Sequence, residues 1–416
     1  MQMNAYIAGV GMTPFGKHLQ RPLKSLAVEA AQAAMRDAGV SNKDISAAYH
    51  ANVAAGTMVG QTCIPGQVAF RDMGLGGIPV VNIKNACASA STAFQQASAM
   101  VTAGLYDVVL VVGAEKLYHA DKSRTFAVFD GCVDYEDFDK VVASVAEDIE
   151  RAGGPKPKDS GKHSFFMDIY ASKALAHMQT YGTTQAQFAA VTAKNSRHGH
   201  LNPNAQFHDI LSVEQVLAAR SISYPMTLPM CAPIADGAAA AVVVSERKAR
   251  ALGMNQCVRV RSSVLNSGWD SPEADDGSHQ NSGLPLTETV VQQAYECAGV
   301  GAEDLSLVEL HDASATSELI LYESLGLCAA GTGGAFVESG ATTLGGKIPV
   351  NPSGGLARKG HPIGATGLAQ LAELTWQLRG KAGARQVAGA KVALAENGGG
   401  YIGDDVAAMV MTVLSR

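Results

Sequence analysis

The chain has 416 residues, 47% of them hydrophobic and 17% charged, with 44 glycines. That is more than one ordinary core accommodates, and it suits an α/β protein of at least two packed units with many tight turns. A formal charge of -6 and a pI near 6.0, with no Lys/Arg-rich run, exclude an electrostatic footprint for nucleic acid or for an anionic membrane.

The seven cysteines are scattered, with no CxxC pair and no zinc-ligand spacing, which predicts reduced thiols and no bound metal. The start of the chain lacks the charged flank and long apolar region of a signal peptide. No apolar run reaches the roughly 18 residues of a membrane span. The expectation is a soluble, cytoplasmic protein without a membrane span.

In chain order, AYIAGVG reads as a strand, SLAVEAAQAAMRDAG as a helix, ISAAYHANV as a strand and VVLVVGAE as another. The alternation predicts parallel sheets covered by helices. An internal repeat is superimposed on it. Residues 34–46 (AMRDAGVSNKDIS) match residues 294–306 (AYECAGVGAEDLS) at an offset of 260, pairing Gly39 with Gly299 and Asp44 with Asp304. Each copy reads as a helix, a glycine cap, a short acidic turn and a strand.

Each copy then leads to a helix of small residues, and beyond it to a strand ending in acid or glycine (VVLVVGAE, KVALAENGGG). The predicted division is a first unit of residues 1–117 and 226–254, an inserted loop domain of 118–225 over the active site, and a second unit of 255–416. DGAAAAVVVS (236–245) is expected to be the last strand of the first copy. The insertion carries acidic DYEDFD, a Gly/Pro/Lys stretch (AGGPKPKDSGKH), and Phe165, Phe166 and Met167 as either acyl-pocket or core residues.

Two positions stand out chemically. In VVNIKNACASASTAF, Cys87 lies where a strand gives way to a helix of small residues. A helix N-terminus stabilises a thiolate and would lower the thiol pKa; the competing reading is a packed, inert cysteine. Cys231 is the next best placed and reads as structural. In NPSGGLARKGHPIGATG, His361 stands between Gly360 and Pro362 just before a helix, a rigid turn with little side-chain cover, suited to an imidazole facing a pocket or lying on the surface. If the copies pack as a pseudo-pair, both turns open toward one cleft. His311 and Asp312, in VELHDASATSEL, end a second-copy strand at the place of Ala51 and Asn52 in the first. No GxSxG elbow supports a hydrolytic triad.

NACASAS, PMCAPIADGAAAAVVVS, RHGHLNPNAQF, NPSGGLARKGHPIGATG and VELHDASATSELILYESLGL together resemble the thiolase superfamily over essentially the whole chain. The last block is similar to the HDCF block of sterol-carrier-type thiolases and the HDAF block of archaeal ones. The resemblance implies a five-layered αβαβα fold built from two repeated α/β units plus an inserted loop domain. It also implies a homodimer or homotetramer acting on coenzyme A thioesters (acyl-CoA or 3-ketoacyl-CoA), with no bound cofactor. By motif position it makes Cys87 the acyl-accepting nucleophile and His361 its base. It puts His311 in the hole that holds the thioester oxygen, and the backbone of Cys87 with Gly398, Gly399 and Gly400 in the hole for the acyl-enzyme oxygen. Asp312 is expected to be structural.

The pattern breaks at the second acid/base. Ala313 stands where HDCF has its cysteine, and Glu396 stands where other members carry a cysteine before the final glycines. Three readings follow. Glu396 moves the α-proton, which requires burial to raise its pKa toward neutral. Or Cys87, His311 and His361 act as a Cys-His-His set on a pre-activated phenol or enolate. Or condensation is lost, leaving a lipid-transfer or scaffold subunit. Glu396 has a structural alternative as well, pairing with a backbone N–H or Lys391. A steroid side-chain aldolase paired with an OB-fold subunit is a further class; retention of Cys87 argues against it, while Tyr401 beside the glycines keeps it open. An OB-fold partner subunit is an expectation in either case.

Overall fold

The computed structural model describes residues 3–155, 157, 164–268, 285–403 and 405–416. Most of the lysine-rich end of AGGPKPKDSGKH therefore lies outside the described residues. The strands are β1 (Ala5–Met12), β2 (Ala47–Ala51), β3 (Val80–Ile83), β4 (Val108–Glu115), β5 (Ser221–Ser223), β6 (Met226–Thr227), β7 (Gly237–Ser245), β8 (Val258–Ser267), β9 (Leu307–Glu309), β10 (Val392–Gly399) and β11 (Ala408–Ser415). All but the β5–β6 pair form one ladder in the order β3-β2-β4-β7-β1-β8-β11-β10-β9.

The ladder displays the repeat. Outward from its centre, β1-β7-β4-β2-β3 in one half answers β8-β11-β10-β9 in the other. A bridge between Val308 and Val350 stands where a fifth strand would lie. The halves join where Ala5–Ile7 pair antiparallel with Val258–Val260. The helices Leu23–Ala38 and Leu286–Ala298 both end on a left-handed glycine, Gly39 (φ 66°) and Gly299 (φ 63°). The turns that follow close identically: Ser41 N donates to Asp44 and Gly301 N to Asp304, each at 2.9 Å.

The expectation of parallel sheets needs correction. β2 runs parallel to β3 and β4, and β9 to β10, but β4–β7, β1–β7, β10–β11 and β8–β11 are antiparallel. The periodicity of an apolar run reports burial on both faces and says nothing of strand direction.

Alternation along the strands sorts the core into layers. Leu110 and Val112 of β4 face the helix Leu23–Ala38, while Val109 and Val111 face the helices Ser89–Thr102 and Thr366–Leu378. Ala393 and Ala395 of β10 meet the same two helices from the other side, and Leu394 points to the helix Leu286–Ala298. The stack is helix, sheet, two central helices, sheet, helix: the five layers anticipated above.

Between β4 and β7 the chain runs through the helices Ser123–Asp130, Phe138–Arg151, Phe166–Tyr181, Gln185–His200 and Val213–Ala218. A buried polar network ties this segment to the second half. Lys194 donates to Glu318 and to Val350 O; Asn195 and Asn351 donate to Glu318 Oε2 at 2.6 and 2.8 Å. Asp312 accepts from Leu356 N at 2.7 Å and from Asn195 at 3.2 Å, the structural role expected of it.

Breaking one side of a buried charge pair leaves the other uncompensated. Lys194→Met is expected to cost about 3–5 kcal/mol in urea denaturation, and the double substitution Lys194→Met/Glu318→Leu to recover much of that loss.

Candidate active site

Cys87 sits on a tight turn between β3 and the helix Ser89–Thr102. Ala86, just before it, adopts a left-handed backbone (φ 46°), a conformation L-residues hold only when their surroundings enforce it. The enforcement comes from Ser89, whose Oγ accepts from Asn85 N at 2.7 Å and donates to Ala86 O at 2.6 Å. Gly399 of β10 presses on the same turn: a Cβ there would lie 2.6 Å from both Ala88 N and Asn85 O. The glycine run so places its backbone against the nucleophile.

His361 lies between the short helix Gly355–Lys359 and the central helix Thr366–Leu378. Its Nδ1 is 2.8 Å from Thr366 Oγ1, and that hydroxyl donates to Pro362 O at 3.2 Å. Thr366 therefore accepts from Nδ1–H, which leaves Nε2 with its lone pair directed at Cys87 Sγ, 3.3 Å away. Glu115, at the end of β4, clamps this turn to the first half. It accepts from Gly364 N at 3.0 Å, Val53 N at 2.9 Å, Ala54 N at 3.0 Å and Asn52 Nδ2 at 2.7 Å.

The His311 and His361 rings are 5.1 Å apart between centroids, and Nε2 of His311 is buried without a hydrogen-bond partner. The donor atoms of Cys87, His311 and His361 lie within 4.8 Å of one another, a spacing that suits proton exchange and would also admit a soft cation. Glu396 Oε2 accepts from His311 N at 2.9 Å. Cys87, His311, His361, Glu396 and Gly398–Gly400 all line one cavity of about 810 Å³, so every candidate named from the sequence converges there.

Phe166 and Met167 also line the cavity, while Phe165 packs behind it against Phe138 and Phe166. Ala313 faces the cavity; Tyr401 is buried, with its backbone N–H on Cys132 O at 3.0 Å. Many lining residues escape a reading of the sequence, among them Cys132 and Tyr170 from the β4–β7 segment, Thr316, and Cys231, which reads there as structural alone.

Burial sets the electrostatics. It pushes the Cys87 thiol well above its ordinary value, with Cys132 and Glu115 adding to the effect. This direction runs against the expectation of a thiol lowered by the helix start; the helix itself begins two residues later, at Ser89. His361 is buried too, against the expectation of little cover. Burial, His311 and Lys359 hold its imidazole well below the ordinary range, and burial lowers His311 to about 4. Desolvation raises Glu396 to about 7, more than the hydrogen bonds from His311 and Gly398 lower it. Both shifts favour the uncharged forms, a thiol against an imidazole.

Comparison with known proteins gives the same family as the sequence blocks. Residues 5–218 match the family model "Thiolase, N-terminal domain", and residues 279–413 match "Thiolase C-terminal domain-like". Sterol carrier protein 2 of Rattus norvegicus is 36% identical over 94% of this chain and 69% of its own length.

The chain belongs to the thiolase family.

Among other relatives, an acetyl-CoA acetyltransferase of Methanothermobacter thermautotrophicus is 34% identical over 95% of this chain and 96% of its own. The solved structure of an "Ltp2-ChsH2(DUF35) aldolase" superposes with a TM-score of 0.77 at 24% identity, covering 99% of this chain and 97% of that one, which shows the shared fold.

With the thiol pushed up and the imidazole pushed down, alkylation of Cys87 by iodoacetamide should keep accelerating as pH rises past about 9. A plateau already reached near neutrality would instead mark a thiolate–imidazolium pair.

Proposed function

We propose that this thiolase-family chain is an acyl-CoA C-acyltransferase that forms an acyl thioester on Cys87 and passes the acyl group to a carbon nucleophile or to coenzyme A. The observation that carries the reading is the 3.3 Å approach of His361 Nε2 to Cys87 Sγ, with the Nε2 lone pair free. As Sγ attacks the thioester carbonyl, the S–H proton passes to Nε2. The carbon–sulfur bond to coenzyme A then breaks, and the departing thiolate takes that proton back. With the thiol pushed up and the imidazole pushed down, proton transfer accompanies bond formation rather than preceding it.

The buried Nε2 of His311 supplies an N–H for the thioester oxygen, and the backbone of Cys87 with Gly398–Gly400 supplies the second oxyanion hole. Glu396 acts as the base for the α-proton of the acceptor thioester: its carboxylate takes the proton as the enolate forms. Its pKa of about 7 is matched to that task at neutral pH.

The substrates on this reading are acyl-CoA or 3-ketoacyl-CoA thioesters, with no bound cofactor. The chain works in the cytoplasm as a homodimer or homotetramer, and a small OB-fold subunit joins it; the pairing of Ltp2 with ChsH2(DUF35) in the aldolase supports such a partner. No helix among the described residues is long and apolar enough to cross a membrane. Cys87 and its bond to His361 favour acyl transfer over both the aldolase and the scaffold readings.

Incubation with acetyl-CoA followed by peptide mass spectrometry should find an acetyl group on the Cys87 peptide and none in Cys87→Ser. Failure of every thioester tried to label Cys87 removes the transferase reading.

Glu396→Gln should slow exchange of the α-protons of acetyl-CoA by about 100-fold or more while slowing acylation far less. In the parent chain the exchange rate should climb as pH passes through about 7, because only the carboxylate accepts the proton. Equal losses in both steps, or a pH-independent exchange rate, exclude Glu396 as that base.

A further inference from the structure

Thr316 and Tyr170 are two hydroxyl-bearing side chains that line the cavity without a role in acyl transfer. Thr316, on the helix Ala315–Ser324, is 1% exposed, and its Oγ1 is buried without a hydrogen bond. Tyr170 comes from the helix Phe166–Tyr181 of the β4–β7 segment, which packs directly on the helix of Thr316. Its ring packs on the core and it lines the cavity. Cys87 and Glu396 line the same cavity as Tyr170.

Phe126, Phe129, Phe166 and Met409 give these walls a large apolar and aromatic share, beside polar side chains such as Lys173 and Arg220. An unpaired buried hydroxyl costs about 1–3 kcal/mol, and a site that keeps such groups favours a ligand able to pair them. The volume of about 810 Å³ lies toward the upper end of the roughly 300–1,000 Å³ of small-molecule pockets.

We propose that Tyr170 and Thr316 form an oxygen-recognising subsite, and that the chain selects bulky, largely apolar acyl-CoA thioesters bearing a neutral hydroxyl or keto oxygen away from the reacting carbonyl. Both hydroxyls are neutral donors, which fits a neutral acceptor oxygen. The proposal deepens the acyltransferase reading and takes from it only the identity of the ligand as a thioester.

Binding to Cys87→Ser, which cannot turn the ligand over through the thiol, tests it by calorimetry. The probes are matched pairs: phenylacetyl-CoA with 4-hydroxyphenylacetyl-CoA, and octanoyl-CoA with its 5-oxo and 7-oxo derivatives. At least one oxygenated member should bind about 10-fold more tightly than its parent. That ratio should fall toward parity when Tyr170→Phe or Thr316→Val is added. Because each ratio is taken within one protein, a general loss of stability does not imitate the result. Parity in every pair, a ratio indifferent to both substitutions, or no binding by any probe overturns the subsite. Absence of an acyl group on Cys87 in the parent chain overturns acyl transfer alone.

Discussion

The site depends on how closely two central helices from different halves approach. At Gly367 a Cβ would lie 2.7 Å from Ser91 N, and at Gly113 one would lie 2.4 Å from Gly364 O. Backbone therefore meets backbone where side chains would normally hold helices 8–10 Å apart. The turns at the two helix starts are carried along, and Cys87 and His361, 274 residues apart in sequence, come within hydrogen-bond reach without the help of long, mobile side chains. Their geometry is then as rigid as the core, which is what a near-attack arrangement requires.

That rigidity is bought with buried charge. Glu115 and Glu396 are both shifted to about 7 by desolvation, yet their surroundings separate their uses. Glu115 is enclosed by donors from Asn52, Val53, Ala54 and Gly364, and its oxygens are committed to holding the histidine turn. Glu396 takes a backbone N–H from His311 and still faces the cavity. A perturbed pKa alone does not distinguish a clamp from a base; access to the reacting carbon does.

The sequence is most informative where local rules and the repeat coincide. The shared glycine caps and acidic turns at residues 39–44 and 299–304 are legible because each depends on residues a few places apart. Cys87, His361 and His311 are legible through motif and register. Strand direction is not, since an apolar run buried on both faces reads alike either way. The state of the Cys87 thiol is misread because the helix start is a local feature, whereas the desolvation that outweighs it is assembled from the whole fold. Tyr170 and Cys132 lie in a segment with no counterpart in the repeat, so nothing in the chain points them at the cavity.

The departure at Ala313 follows a spatial logic that the linear motif hides. Ala313 lines the cavity just beyond His311, and its carbonyl accepts from Ala232 N at 2.9 Å, so the turn keeps its backbone role whatever its side chain. The acid it lacks is found on the adjacent strand: β10 pairs with β9 at Ala395 and Glu309, and the next residue, Glu396, reaches back to the N–H of His311. An acid on β10 and a cysteine on the His311 turn would thus approach the same reacting carbon from neighbouring strands. Ladder pairing fixes the distance between the two positions, so on the proposed reading a proton-transfer group at either one would leave Cys87 and His361 in place.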